Sequence, residues 1–170
     1  TINDNAKYRI CLYGANAEKG VRGCVKCAER YFKSGSIIKY QLGGKTSGGI
    51  GGTDCGKYKG RGYNGAGLSK ATCSDDFYII AGGGGGNSES GNRGGDCEQD
   101  GEGPNGGKGE SIDTGFGGYG GGYSSAQGEY CGGGGGNGHL GGEGGDSGNG
   151  NNDGGGGGGS SYCKESKEVL

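Results

Sequence analysis

Proline, methionine, tryptophan and histidine are nearly missing from this 170-residue chain, which holds one Pro, no Met, no Trp and one His. Apolar residues are scarce as well, at 27% even when Ala, Tyr and Cys are counted, where an ordinary domain is about half apolar. A core of packed side chains along the whole length is therefore excluded. No long apolar run exists, so no membrane-spanning helix is expected. Collagen is excluded by the single proline, Pro104, and by glycines that do not recur strictly every third residue. Charge of one sign is lacking too: 17 Lys and Arg stand against 19 Asp and Glu, for a net charge of -2. That balance supplies no basic footprint for nucleic acid or an anionic membrane. It also removes one barrier to self-association.

What is present in abundance is glycine, 53 residues of it, and cysteine, eight residues. So glycine-rich a composition stays disordered unless something other than side-chain burial orders the backbone. The cysteines Cys11, Cys24, Cys27, Cys55, Cys73, Cys97, Cys131 and Cys163 are even in number and spread over the chain. With so little core, they read as a disulfide framework made in an oxidising compartment. Four bridges would contribute on the order of 8–16 kcal/mol at roughly 2–4 kcal/mol each. Their pairing is left open by the sequence. The chain starts at Thr1 without an apolar leader, as expected of an extracellular, secreted chain after signal-peptide removal.

Two grammars divide the chain. Residues 1–80 hold 15 glycines and residues 81–170 hold 38. Strand-like blocks fill the first part: Tyr8, Ile10 and Leu12 alternate with Arg9, Cys11 and Tyr13, residues 31–42 are rich in aromatics and β-branched side chains, and residues 77–81 read Phe-Tyr-Ile-Ile-Ala. No segment keeps a 3.6-residue apolar period, so almost no α-helix is expected. Residues 25–33, the best helical candidate, read as loop and strand.

Glycine runs occupy residues 82–86, 132–136 and 154–159, and between them a period of three appears. Glu143, Asp146, Asn149 and Asn152 fall on one line; Glu102, Asn105 and Lys108 repeat the spacing, and Phe116 and Tyr119 give an aromatic version. Three residues per turn is the period of the polyproline-II-like helix, whose backbone groups point outward and need external partners. Glycine can donate where proline cannot, so several such segments side by side would satisfy one another. Fixing a residue costs about 1–2 kcal/mol, and a net hydrogen bond returns only about 0.5–1.5 kcal/mol. A glycine bundle therefore needs clamping by disulfides, by flanking strands or by neighbouring subunits. The expected organisation is strands and loops over 1–81, an inserted glycine-helix bundle over 82–159, and a closing strand and tail over 160–170.

The order of motifs resembles a known family. Tyr8-Arg9-Ile10-Cys11-Leu12-Tyr13-Gly14-Ala15, Lys39-Tyr40-Gln41-Leu42-Gly43-Gly44-Lys45, Gly62-Tyr63-Asn64-Gly65-Ala66-Gly67, Tyr78-Ile79-Ile80-Ala81 with its five following glycines, and the glycine run 154–159 ahead of Ser160-Ser161-Tyr162 come in series. The series is similar to the secreted glycine-rich domain of the anaplastic lymphoma kinase and leukocyte tyrosine kinase receptors. The resemblance implies a mainly β fold: a jelly-roll-like β-sandwich with a protruding, disulfide-stapled bundle of polyglycine-II-type helices. This chain departs from the pattern at Ala66, which replaces a glycine, and at residues 68–76.

Chemistry is sparse. Cys24-x-x-Cys27 lacks the second pair or histidines that a metal site needs, and His139, the only histidine, has no nucleophile and orienting acid arranged by any motif. No phosphate-loop pattern occurs. No enzyme, cofactor or metal is expected. Tyrosines outnumber phenylalanines eleven to three, and tyrosine suits interfaces. Tyr119, Tyr123 and Tyr130 are the candidate contact residues, with capping of the bundle as the equal alternative. The resulting expectation is a secreted structural protein that joins copies of itself head to tail into a filament, sheath or matrix. The alternative is an extracellular adhesive or ligand-binding module for a protein or glycan. Ice binding fits less well, because the every-third positions carry Glu, Asp, Asn and Lys.

Overall fold

A computed structural model describes residues 1–55, 60–73, 77–113, 117 and 130–164. β1 (Ala6–Tyr13) and β2 (Val25–Phe32) form an antiparallel ribbon whose register runs from Ala6 opposite Phe32 to Tyr13 opposite Val25. Alternation dictates its two faces. Tyr8, Ile10, Leu12, Ala28 and Phe32 share one face, and Lys7, Arg9, Tyr13, Val25, Glu29 and Tyr31 the other. β3 (Lys39–Gln41), β6 (Ser69–Cys73), β7 (Phe77–Ala81) and β8 (Tyr162–Lys164) form a four-stranded antiparallel sheet in that order. β4 (Thr53–Cys55) and β5 (Gly60–Arg61) make a small separate pair.

The ribbon packs across the sheet, and Leu12, Cys24, Ala28, Phe32, Ala71, Phe77, Ile79 and Ala81 form the buried cluster between them. Phe32 meets Phe77 edge to face at 5.5 Å between ring centroids. The described residues contain no α-helix, only 3-10 turns at Glu18–Gly20 and Gly150–Asn152. One sequence expectation needs correction. The block 31–42 is not continuous strand: β2 stops at Phe32 and the chain turns at Gly35, where φ is +86°, before β3 begins. β6 is a central strand within residues 68–76, where the sequence departs from the family pattern. Its small, polar sequence Ser-Lys-Ala-Thr-Cys is held by partners on both sides.

The glycine-rich segments are organised chiefly by backbone hydrogen bonds. Residues 154–159 run through the centre of this region. The N–H groups of Gly154, Gly157 and Ser160 donate to Asp146, Glu143 and Leu140; those of Gly155 and Gly158 donate to Glu102 and Gln99; those of Gly156 and Gly159 donate to Gly86 and Gly83. The carbonyls of Gly154 and Gly157 accept from Gly133 and Gly136, those of Gly155 and Gly158 from Gly107 and Glu110, and those of Gly156 and Gly159 from Gly95 and Glu98. Each neighbour is met every third residue. Six surrounding segments thus leave no N–H or C=O of 154–159 unpaired, which is the condition for burying backbone without cost.

This packing explains where side chains can and cannot stand. A Cβ on Gly156 would fall inside the contact shell of the Gly134 carbonyl, a backbone atom with nowhere to go. Ala66 shows the converse: its methyl lies wholly buried beside Ala17 and Val21, in a small apolar pocket at the edge of the bundle.

Clasps tie the glycine region to the strands. Cys24–Cys97 and Cys55–Cys131 link residues 73 and 76 positions apart, each stabilising by roughly 4 kcal/mol on the loop-entropy account. Cys11–Cys27 crosses the ribbon on its outer face. At the start of the central segment, the fully buried Asp153 accepts from the Ser90 N–H at 3.0 Å, from the Ser90 hydroxyl, and from Asn92 Nδ2 at 2.8 Å. The buried carboxylate is thereby satisfied by the turn that packs on it.

The close approach of backbones sets an expectation for substitution. Gly156→Ala should destabilise the fold by about 3 kcal/mol, as overpacking without a relaxing neighbour does. Gly44→Ala, whose methyl would meet only the movable Ser47 side chain, should cost under about 1 kcal/mol. Urea unfolding midpoints of the two variants check the difference.

Candidate interaction surface

The four-stranded sheet turns one face to the ribbon and leaves the other uncovered by any described strand. Cross-strand register places Lys39, Thr72, Tyr78 and Lys164 in one row of that outer face, and Gln41, Lys70, Ile80 and Tyr162 in the next. The rows include three lysines and no carboxylate. Tyr78 and Tyr162 lie 5.5 Å apart between ring centroids, and the His139 ring stacks on Tyr162 at 4.1 Å. Lys70 Nζ sits 5.6 Å from the Tyr78 ring centre, within reach of a cation–π attraction. The result is a short aromatic ladder beside ammonium groups.

Both edges of this sheet are single strands with no described partner on their outer side, β3 at one end and β8 at the other. All three residues of β3 are exposed. Tyr40 within it and Ile37 and Leu42 beside it are 73%, 61% and 71% exposed, an apolar fringe along an unpaired edge. A second patch lies on the outer face of the ribbon, where Tyr13, Val25 and Tyr31 stand exposed around the Cys11–Cys27 bridge. Lys7 and Glu29 pair there at 3.0 Å.

Charge follows the chain's division. Residues 1–80 carry 13 Lys and Arg against 6 Asp and Glu, and residues 81–170 carry 4 against 13, so the two parts differ as +7 and -9. At their junction Asp96 accepts from the Arg22 N–H at 2.7 Å and from Arg93 at 2.6 Å. Burial disfavours its ionised form, but the Arg22 and Arg93 hydrogen bonds outweigh that and hold its carboxyl below the ordinary range.

Of the residues singled out in the sequence, Cys11, Cys24, Cys27, Cys55, Cys97 and Cys131 are placed in the three bridges. Cys73 and Cys163 lie on β6 and β8, flanking β7, and pack against the same core cluster. Tyr130 is held by backbone bonds with Gly148 in both directions, whereas Tyr119 and Tyr123 lie outside the described residues. His139 is brought to the aromatic ladder, a role no sequence motif signalled. Among the described residues, two groups have metal-like donors, Cys24, Cys97 and Glu98, and Cys55, Glu89 and Cys131. In each, the two sulfurs are bonded to one another, so no thiolate is offered to an ion.

Lowered acidity at Asp96 has a definite sign. A carboxyl with a depressed folded pKa stabilises above its unfolded pKa, and the contribution is lost as pH falls through the folded value. Stability should therefore decline from about pH 5 downward, and Asp96→Asn should lower stability at neutral pH while flattening that decline. Denaturant titrations over this pH range measure it. No family model matches the chain, and neither a curated protein nor a solved structure matches it.

Proposed function

We propose that this chain is a secreted structural protein that assembles with copies of itself into an extracellular filament, sheath or matrix, without catalysis. The observation that carries the reading is the β3 edge, a fully exposed strand fringed by Ile37, Tyr40 and Leu42. Native edges are usually short, charged or covered, because an unpaired edge templates pairing with another chain. β3 is short and carries Lys39, but its apolar fringe opposes that protection. Strand addition at such an edge is a known route to association, and a contact between unlike surfaces whose rotation does not close a ring repeats as an open filament.

The same reading takes the fold to be a jelly-roll-like β-sandwich with a bundle of polyglycine-II-type helices, as in the receptor glycine-rich domains that the sequence resembles. Support comes from the period-three hydrogen bonding around residues 154–159 and from Asp153, whose φ of -69° and ψ of 163° suit that helix. Three disulfides support an extracellular setting. Among the described residues, no helix is long and apolar enough to cross a membrane.

The second reading, a module that binds an extracellular protein or glycan, is favoured by the ladder of Tyr78, Tyr162 and His139. Negative-stain electron microscopy separates the two. Regular filaments or sheets are expected from the wild type, and Leu42→Lys should suppress them while changing the unfolding free energy by no more than about 0.5 kcal/mol, as surface changes usually do. A monodisperse single chain at every concentration would overturn the assembly reading.

A further inference from the structure

Between the end of β2 and the edge of the sheet lies an open cleft of about 620 Å³, lined by Arg30, Tyr31, Lys33, Ile37, Lys39 and Cys73 among others. Its size is that of a small-ligand pocket. Three cations line it, and no acidic side chain is among its described lining residues. Arg30 is set by its strand: its alternation places it on the inner face of the ribbon, opposite Tyr8. The guanidinium carbon lies 5.4 Å from the Phe77 ring centre and 5.9 Å from that of Phe32. Two aromatic rings thus fix the side chain without consuming its donors.

Those donors are not all used. Arg30 Nη1 is buried and has no hydrogen-bond partner, the one such side-chain atom among the described residues. Leaving a charged donor buried and unpaired is costly, and arginine cannot shed its proton to escape. A planar fork of this kind matches the two oxygens of a carboxylate or sulfate. Lys33 and Lys39 are exposed at the cleft, where they add attraction, and the exposed Tyr31 and Ile37 give an apolar rim for a carbon body.

We propose that this cleft is an oxyanion-binding site, with Arg30 as the anchoring donor and Lys33 and Lys39 as flanking cations, for a carboxylate or sulfate group. The charge division of the chain favours a carboxylate from a second copy. Glu98, Asp100 and Glu102 are each exposed in the acidic part, and this source alone rests on the assembly reading above.

The test is a titration of the intact, oxidised chain with sodium sulfate, using sodium chloride at matched ionic strength as control and following the Arg30 side-chain and residue 33–37 amide resonances by NMR. Saturable shifts specific to sulfate are expected, with affinity reduced at least tenfold in Arg30→Gln and by less in Arg30→Lys, which keeps the charge but not the fork. Since Arg30 packs on core rings, a Lys33→Gln, Lys39→Gln double variant provides a surface test, expected to weaken sulfate about threefold or more. Shifts that never saturate, or affinity unchanged in the variants, would overturn the site. Assembly is then followed with and without saturating sulfate. Inhibition in step with occupancy supports the second copy as source; assembly proceeding on a saturated site removes that source and assigns the cleft to a free oxyanion. Failure to assemble at all would refute the filament reading while leaving the sulfate titration to decide the site.

Discussion

Backbone hydrogen bonding around residues 154–159 is the constraint on which the rest depends. Every N–H and C=O of this segment is bonded to a neighbouring backbone, so it can be buried only when other segments surround it. Six segments do so here, drawn from residues 83–86, 95–98, 99–102, 107–110, 133–136 and 140–146. That requirement fixes the composition. Neighbouring backbones come so close that a methyl at most of these positions would meet a carbonyl rather than a movable side chain, and only glycine leaves the room.

The same constraint explains the strands and bridges. Glycine is expensive to order, and hydrogen bonds return little net stability, so the bundle depends on what holds its ends. Cys24–Cys97 and Cys55–Cys131 shorten the loops it must close, the ribbon and sheet supply the apolar cluster around Phe77 and Ile79, and Asp153 anchors the central segment. Apolar side chains are concentrated there because they are few, and the edges left over, notably β3, go unguarded. A protein with so small a core has little with which to cover its own sheet.

The period-three spacing of Glu143, Asp146 and Asn149, the interval at which the backbone partners of residues 154–159 recur, was legible in the sequence. So were β1 and β7, whose alternation and apolar content are strong. β6 was not, since Ser69-Lys70-Ala71-Thr72-Cys73 is strand only through its neighbours β3 and β7. The break in residues 31–42 was hidden by aromatic residues on both sides of Gly35. Disulfide pairing stayed open because partners 73 and 76 residues apart meet only after the glycine segments pack. The cleft has no local signature for the same reason: Arg30 and Cys73, which both line it, are distant in sequence, and nothing local marks an arginine with an unpaired donor.

Hydrogen exchange of the individual amides of Gly154, Gly155, Gly156, Gly157, Gly158 and Gly159 tests the central claim most directly. If these backbones are the true core, their amides should exchange only through global unfolding, as slowly as those of Ile79 and Ile80 in the apolar sheet. Exchange near the rate of an unstructured glycine peptide, with β7 still protected, would contradict the account and leave the glycine region without a structural role.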